Sequence, residues 1–312
     1  MNVIESSTSQ DNFHPAARTA RSSRQPDLAV SFEFFPPKQP ALAPGFWAAA
    51  ADLAALAPRF VSITYGAGGS TRDQTRAVVS EIQTRCGVPA AAHLTCVDAT
   101  SDEIDAIAES YWQAGIHALV ALRGDPKAGI AAGYTPAPGG YAFADSLVAG
   151  LRRLHPFDIS VAAYPETHPQ AASASADLDH LKRKIDAGAS RAITQFFFDV
   201  DCCKRFLDRC ARAGITVPIV PGILPIRSLA KTEAIAAACG ARIPAGIRDR
   251  LAGLSGDSAA GNRVAIDIAV EQCRSLMEAG VRHFHFYTLN RADLVREICG
   301  RIGIGSPLQT GR

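Results

Sequence analysis

From Leu28 onward the chain alternates between two kinds of segment. Short runs dense in Val, Ile, Phe and small residues are followed by longer, Ala-rich runs whose apolar positions recur at helical spacing. The first kind predicts strands near 29–35, 60–65, 90–96, 117–122, 158–164, 191–197, 217–221 and 282–288. The second predicts helices near 45–57, 72–86, 101–114, 143–154, 174–188, 200–213, 228–239 and 260–280, with a last helix over 290–302. Eight strands, each followed by a helix, is the count of an α/β fold of the (β/α)8 TIM barrel type, a single domain over residues 28–306. A doubly wound open sheet is the competing architecture. Eight regular units favour closure, and no GxGxxG follows any predicted strand. Two connections are long: 124–142, rich in Gly and Pro in its second half, and 240–259, where Pro244 and Gly246 predict irregular or only partly helical chain.

Residues 1–27 break the pattern. They are rich in Ser, Gln, Arg and Asn with little apolar periodicity, and read as a disordered extension without the apolar stretch of a secretory signal. Residues 307–312 form a short C-terminal tail.

A barrel makes a demand that the chain can be tested against: functional residues should gather at the C-terminal ends of the strands. Glu33 lies late in the first predicted strand, Thr64 closes the second, and His93 and Thr95 close the third. Arg123-Gly124-Asp125-Pro126 follows the fourth, Tyr164-Pro165-Glu166-Thr167-His168-Pro169 the fifth, and Gln195 ends the sixth. Pro221-Gly222-Ile223-Leu224-Pro225 and Tyr287-Thr288-Leu289-Asn290-Arg291 follow the seventh and eighth. Turns are polar anyway, but turn chemistry does not explain Glu33 or Gln195, which sit within apolar runs.

Glu33 is the most informative of these. In Val30-Ser31-Phe32-Glu33-Phe34-Phe35-Pro36-Pro37, strand alternation places Ser31, Glu33 and Phe35 on one face and Val30, Phe32 and Phe34 on the other. A carboxylate flanked by aromatics is costly to ionise, so the expectation is a carboxyl that keeps its proton near neutral pH, as a general acid must. The alternative is a structural ion pair with a nearby Arg.

Composition narrows the classes. A hydrophobic share of 47% suits a soluble globular chain, and a formal charge of +2 without a basic tract argues against nucleic acid or a membrane surface as partner. No apolar run is long enough to span a bilayer. The eight cysteines are scattered with no CxxC, which points to reduced thiols in a cytoplasmic protein and away from zinc; no metal is expected.

In this order, several segments carry a family signature: Phe-Glu-Phe-Phe-Pro-Pro (32–37), Ile-Thr-Tyr-Gly-Ala-Gly-Gly-Ser-Thr-Arg-Asp (63–73), Ala-His-Leu-Thr-Cys (92–96), Leu-Arg-Gly-Asp-Pro (122–126) and Tyr-Pro-Glu-Thr-His-Pro (164–169). Leu-Lys-Arg-Lys-Ile-Asp-Ala-Gly-Ala (181–189), Ile-Thr-Gln-Phe-Phe-Phe-Asp (193–199), Pro-Gly-Ile-Leu-Pro (221–225) and Phe-His-Phe-Tyr-Thr-Leu-Asn-Arg (284–291) continue it. With these motifs in register from about 28 to 303, the chain resembles the methylenetetrahydrofolate reductase family, in its single-domain bacterial type. The resemblance implies a (β/α)8 barrel with non-covalent FAD, NADH or NADPH as electron donor, and reduction of 5,10-methylenetetrahydrofolate to 5-methyltetrahydrofolate by ping-pong hydride transfer, in one-carbon metabolism and methionine synthesis. It also implies a homo-oligomer.

Residue by residue, the resemblance makes Glu33 the general acid and places Asp125 near both flavin and folate. It puts Thr64, His93, Arg123, Gly124, Asp125, Tyr164, His168, Asp177, His180, Arg183 and Lys184 at the FAD. Asp125, Gln195, Leu229 and Arg291 fall on the substrate side. Cations near a diphosphate make physical sense, although Lys182-Arg183-Lys184 is also a charge run on a helix. The Tyr65–Ser70 segment lacks a P-loop Lys, and its glycines are expected to let backbone lie close to flavin.

The chain also departs from the family. Leu229 stands where well-known relatives carry a stacking Phe, His180 where some carry Asn, and Gln170 where Glu often follows His-Pro. The chain ends soon after the eighth unit, so regulation by an S-adenosylmethionine-binding domain, as in larger relatives, is not expected. A Schiff-base aldolase would need an inward Lys at a strand end, where the sixth strand has Gln195. A metal-dependent hydrolase would need partners for His93 and His285, which lack them at ligand spacing in the sequence.

Overall fold

The structure is a computed structural model that describes residues 28–65, 72–126, 133–256 and 258–305. The expected N-terminal extension, the C-terminal tail and most of the Tyr65–Ser70 segment lie outside the described residues.

Strands and helices alternate as the hydrophobic pattern requires. They are β1 (Ala29–Phe34), α1 (Ala43–Ala54), β2 (Val61–Ile63), α2 (Arg72–Cys86), β3 (Ala90–Thr95), α3 (Ser101–Gln113), β4 (Ala118–Leu122), α4 (Ala144–Leu154), β5 (Asp158–Ala163) and α5 (Ala174–Asp186). There follow β6 (Arg191–Thr194), α6 (Val200–Arg212), β7 (Ile219–Val220), β8 (Gly222–Ile223), α7 (Leu229–Cys239), α8 (Ala245–Leu251), α9 (Ala259–Glu278), β9 (His283–Tyr287) and α10 (Asp293–Arg301). Caps fix several helix starts: Thr100 and Glu103 form a capping box on α3, and Ser173, Asp199 and Ser258 cap α5, α6 and α9.

All strand pairs are parallel, in the order β7-β6-β5-β4-β3-β2-β1-β9-β8. β7 and β8 are two halves of the seventh barrel stave, and the ring closes through the residue between them. The expected single strand over 217–221 is broken at Pro221 because proline has no N–H to give a ladder. β7 pairs with β6, β8 pairs with β9, and the seam is joined by His285 N–H donating to the Pro221 carbonyl (2.9 Å) and Gly222 N–H donating to Thr194 Oγ1 (2.8 Å). The 240–259 connection carries the short helix α8, in line with its partly helical reading.

The core has two layers. Phe32, Phe34, Phe284 and Phe286 have no exposed surface and point outward into the cluster between sheet and helices. Phe60, Ala91, Val120, Ile193 and Val220 form a smaller apolar plug inside the barrel. Phe35, by contrast, is 40% exposed at the C-terminal rim, which is the face shared with Ser31 and Glu33.

Candidate active site

The inward face of β1 and β9 is polar, above the apolar plug of Phe60, Ala91, Val120, Ile193 and Val220. The strands pair with Ser31 opposite His285 and Glu33 opposite Tyr287. Because side chains alternate, His283, His285 and Tyr287 share the inward face of β9, and β3 adds His93. Nε2 of His93 lies 3.4 Å from Oε2 of Glu33, and Nε2 of His285 lies 3.7 Å from the same oxygen. Thr288 holds the strand end: its N–H (3.2 Å) and Oγ1 (2.6 Å) both donate to the Glu33 carbonyl.

This arrangement corrects the expectation for the Glu33 carboxyl. Burial does push its pKa up, as the sequence suggested. The imidazoles of His285 and His93 beside the carboxylate outweigh that, so the group is held below the ordinary carboxylate value. The neighbouring phenylalanines that motivated the expectation face the other way. The groups that set the charge come from strands far along the chain. No Arg pairs with Glu33 among the described residues, so the alternative Arg ion pair is not what the fold builds. His93 is itself shifted down, by burial first, with Glu33 opposing, and burial raises the Tyr287 phenol. His93 and His285, isolated in the sequence, therefore converge on one carboxylate.

Above this cluster a cavity of about 330 Å³ opens at the C-terminal end of the barrel, lined by Glu33, Thr64, His93, Tyr164 and Gln195 together with apolar Phe35, Leu224, Ile235 and Leu289. Gln195 follows the last residue of β6; its N–H donates to the Ala163 carbonyl (2.7 Å), which aims the amide into the barrel mouth. Tyr287 closes one wall, its hydroxyl donating to the Thr194 carbonyl at 2.7 Å. Gly222 permits this: a Cβ there would lie 2.2 Å from the Thr194 oxygen and 2.6 Å from the Tyr287 ring. At the rim, Leu289 and Asn290 both adopt left-handed backbone (φ 50° and 58°), and Asn290 holds Phe35 by two hydrogen bonds, accepting from its N–H (2.8 Å) and donating to its carbonyl (2.9 Å).

A second cavity of about 290 Å³ shares Tyr164 with the first and is lined by Arg123, Asp145, His168, Asp177, His180 and Lys184. Between them, a smaller space of about 170 Å³ is bounded by Arg123, Gly124, Asp125, Tyr164, His168 and Lys184. Gly124 has φ 82°, and a Cβ there would meet Val97 at 2.6 Å, so the turn requires glycine. Arg123 pairs with Asp125 (3.3 Å) and stacks on Tyr134 (4.6 Å to the ring centre). Asp177 accepts from the His168 N–H at 2.9 Å, and Tyr164 meets the His168 ring edge-on at 4.7 Å. Lys184 Nζ donates to the Ala162 carbonyl (2.5 Å), and burial pushes its ammonium down to about 8 against Asp177 and Asp145.

Three residues expected at the site lie elsewhere. Arg183 is half exposed and pairs with Asp145 (3.2 Å), which lines the second cavity. Leu229 begins α7 and packs against the cluster of Phe196, Leu224 and Ile268; Ile235, six residues on, lines the cavity instead. Arg291 sits in a separate surface groove beside Asp293 (3.8 Å). Conversely, sequence reasoning passed over Ser31, Asp145, Ile235, His285 and Tyr287 as site residues. The signal for His285 and Tyr287 was their two-residue spacing on a strand that had to pair with the one bearing Glu33.

Among the described residues no helix is long and apolar enough to cross a membrane.

The family model for methylenetetrahydrofolate reductase matches residues 18–303. The 5,10-methylenetetrahydrofolate reductase of Escherichia coli (strain K12) is 46% identical over 296 residues, covering 94% of this chain and 98% of the relative. Its counterpart in Salmonella typhimurium is 47% identical over 296 residues, again covering 94% and 98%. Among solved structures, an uncharacterized protein from Clostridium thermocellum that binds two copies of 5-methyl-5,6,7,8-tetrahydrofolic acid superposes with a TM-score of 0.60 at 15% identity, over 88% of this chain and 94% of that one. At that identity the likeness speaks for the fold alone.

Proposed function

Since this chain belongs to the methylenetetrahydrofolate reductase family, we propose that it reduces 5,10-methylenetetrahydrofolate to 5-methyltetrahydrofolate, with NADH or NADPH as donor and non-covalent FAD as carrier. The observation that carries this is a mostly buried carboxylate, 14% exposed, between two histidines at the floor of an apolar cavity, with a polar amide, Gln195, on another wall.

The residues present suit a flavin dinucleotide. The first cavity offers apolar walls to a planar ring system. The second offers Arg123, Lys184 and His168 to a diphosphate and the carboxylate of Asp177 to ribose hydroxyls, and Tyr164 stands where the two meet. When bound, the flavin supplies hydride transfer, which no side chain can perform.

The chain's own residues supply the rest. The substrate's methylene bridge joins N5 and N10, and opening the ring at N10 needs a proton there. Glu33 is placed to hold that proton and deliver it, which leaves a cation at N5. His93 and His285 flank the carboxyl at 3.4 and 3.7 Å and hold it toward the cavity. Asp125 supplies negative charge at the cavity rim, which favours the N5 cation. Gln195 can both donate to and accept from a pterin edge, which orients the ring. Phe35, Leu224, Ile235 and Leu289 exclude water from the reacting face.

Purified protein should carry a visible flavin band. NADH or NADPH should bleach it under anaerobic conditions, and 5,10-methylenetetrahydrofolate should restore it. Protein that binds no flavin after reconstitution, or reduced flavin that methylenetetrahydrofolate leaves reduced, would sink the proposal.

A further inference from the structure

Inside the barrel, the polar groups do not stop at Glu33. Ser31 lies two residues below it on the same face of β1, with Oγ 2.7 Å from Nδ1 of His285 and 3.1 Å from Nε2 of His283. Ser31 and His285 have no exposed surface, whereas His283, the first residue of β9, is partly exposed at the opposite end of the barrel from the cavity. There it packs edge-on against Phe60 (6.2 Å), near Arg59 and Arg191. Glu33, His285, Ser31 and His283 thus form a continuous line from the floor of the cavity to the barrel's N-terminal end. Nε2 of His285 has no hydrogen-bond partner among the described residues, and it is the ring nitrogen that faces Glu33.

Resting on the folate-reduction reading, we propose that His283, Ser31 and His285 are a proton route that recharges Glu33 from the N-terminal end of the barrel while substrate covers the mouth. Each turnover in which Glu33 gives a proton to N10 leaves a carboxylate that must be reprotonated. A folate seated over Glu33 closes the direct path from solvent.

The bonds balance as follows. A solvent proton is taken up at Nδ1 of His283, and the Nε2 proton of His283 passes to Ser31 Oγ. The Ser31 hydroxyl proton passes to Nδ1 of His285, and the Nε2 proton of His285 passes to Oε2 of Glu33. Each imidazole exchanges its Nε2–H bond for an Nδ1–H bond and Ser31 exchanges one O–H bond for another, so the net bond formed is the O–H at the carboxyl and the only net charge change is its neutralisation. Proton exchange between the two nitrogens of each ring and rotation of the Ser31 hydroxyl restore the starting arrangement before the next turnover. The first two links are already at hydrogen-bond distance. The last spans 3.7 Å, so side-chain travel of about 0.8 Å closes it. Ser31 is the only link whose side chain neither holds a charge nor touches the cavity, so removing its hydroxyl cuts the line without altering the acid. The groups facing the route are His93 and Tyr287 at the carboxyl end and Arg59 and Arg191 at the entry.

The test follows the Glu33 carboxyl by infrared spectroscopy, its band identified by its loss in Glu33→Gln. Protein is saturated with 5-methyltetrahydrofolate and subjected to a rapid pH drop. Binding of that folate is measured first, and failure to bind would count against the functional reading rather than the route. With folate bound, wild type should reprotonate Glu33 rapidly. Ser31→Ala should slow this on the order of 10²-fold while keeping the wild-type melting temperature. His283→Leu, which blocks the entry and leaves Ser31 and His285 in place, should slow it similarly and serves if Ser31→Ala is unstable. Both variants should match wild type when the mouth is free of folate. Reprotonation at the wild-type rate in both folate-bound variants would overturn the route, and so would slowing that is equal with and without folate.

Discussion

Nε2 of His93 stands 3.4 Å from Oε2 of Glu33, and the contact joins β3 to β1 across the interior of the barrel. With His285 on the other side, it makes Glu33 one member of a buried three-group site. A proton in such a site belongs to the cluster, and its apparent pKa values are those of the set. A carboxyl held low in the free protein can still deliver a proton once a folate displaces water and raises the cost of leaving charge in the cavity.

Replacing the acid should separate the two half-reactions. Glu33→Gln keeps shape and some hydrogen bonding but cannot release a proton. Flavin reduction by NADH should stay near wild type, whereas reduction of methylenetetrahydrofolate should fall on the order of 10²–10⁴-fold. Stopped-flow measurement of each half, with flavin content and melting temperature as controls, checks this. Equal slowing of both halves in an unstable protein would mean that Glu33 is structural, and an undiminished folate step would remove it from the mechanism.

Asp125 is more than half exposed beside Arg123, so its charge acts at the rim rather than in the core. Asp125→Asn should raise the flavin midpoint potential, because a nearby negative charge disfavours an anionic reduced ring. Folate reduction should slow as the N5 cation loses a stabilising charge. A spectroelectrochemical titration together with folate turnover decides the matter, and both remaining at wild-type values would contradict the placement.

The second cavity should govern flavin retention. Arg123→Ala removes a guanidinium held over Tyr134, and Asp177→Ala removes the carboxylate that accepts from the His168 N–H. Both variants should purify folded with less flavin than wild type, read from the ratio of visible to ultraviolet absorbance and from circular dichroism. Full flavin content in both would place the dinucleotide elsewhere.

Acid stability should report on His283. Burial, with His285, Arg59 and Arg191 adding to it, pushes this imidazole from 6.5 down to about 3. Above pH 6.5 neither the native nor the unfolded state protonates it, and it carries no penalty. As pH falls below 6.5 the unfolded chain takes up a proton that the native state refuses until about 3, so native stability declines through that window. Between pH 7.5 and 5.0 the group should cost about 2 kcal/mol, and His283→Asn should lose less stability than wild type over that range. His93 and His168, also shifted down by burial, keep some acid sensitivity in the variant. Urea unfolding at the two pH values measures the difference, and parallel losses in both proteins would refute it.

Local chemistry sufficed for much of this molecule. The alternation of strand and helix, the outward set Val30, Phe32 and Phe34, and the inward set Ser31, Glu33 and Phe35 follow from side-chain periodicity, which acts within a few residues. The gathering of Thr64, Arg123, Tyr164 and Gln195 at one end follows from closure of a parallel barrel, because every strand then delivers its C-terminal residue to the same rim. The break of the seventh stave at Pro221 was written in a residue type, although its pairing to two different neighbours was not. What only the tertiary structure decided is the electrostatics of Glu33. Its partners His93 and His285 are remote in sequence, and nothing in Phe32 or Phe34 announces them. The same holds for Leu229 and Arg291, neither of which is among the residues lining the cavity. Periodicity specifies which face a residue takes, whereas the charge it meets there depends on register between distant strands, and register is settled only when the barrel closes.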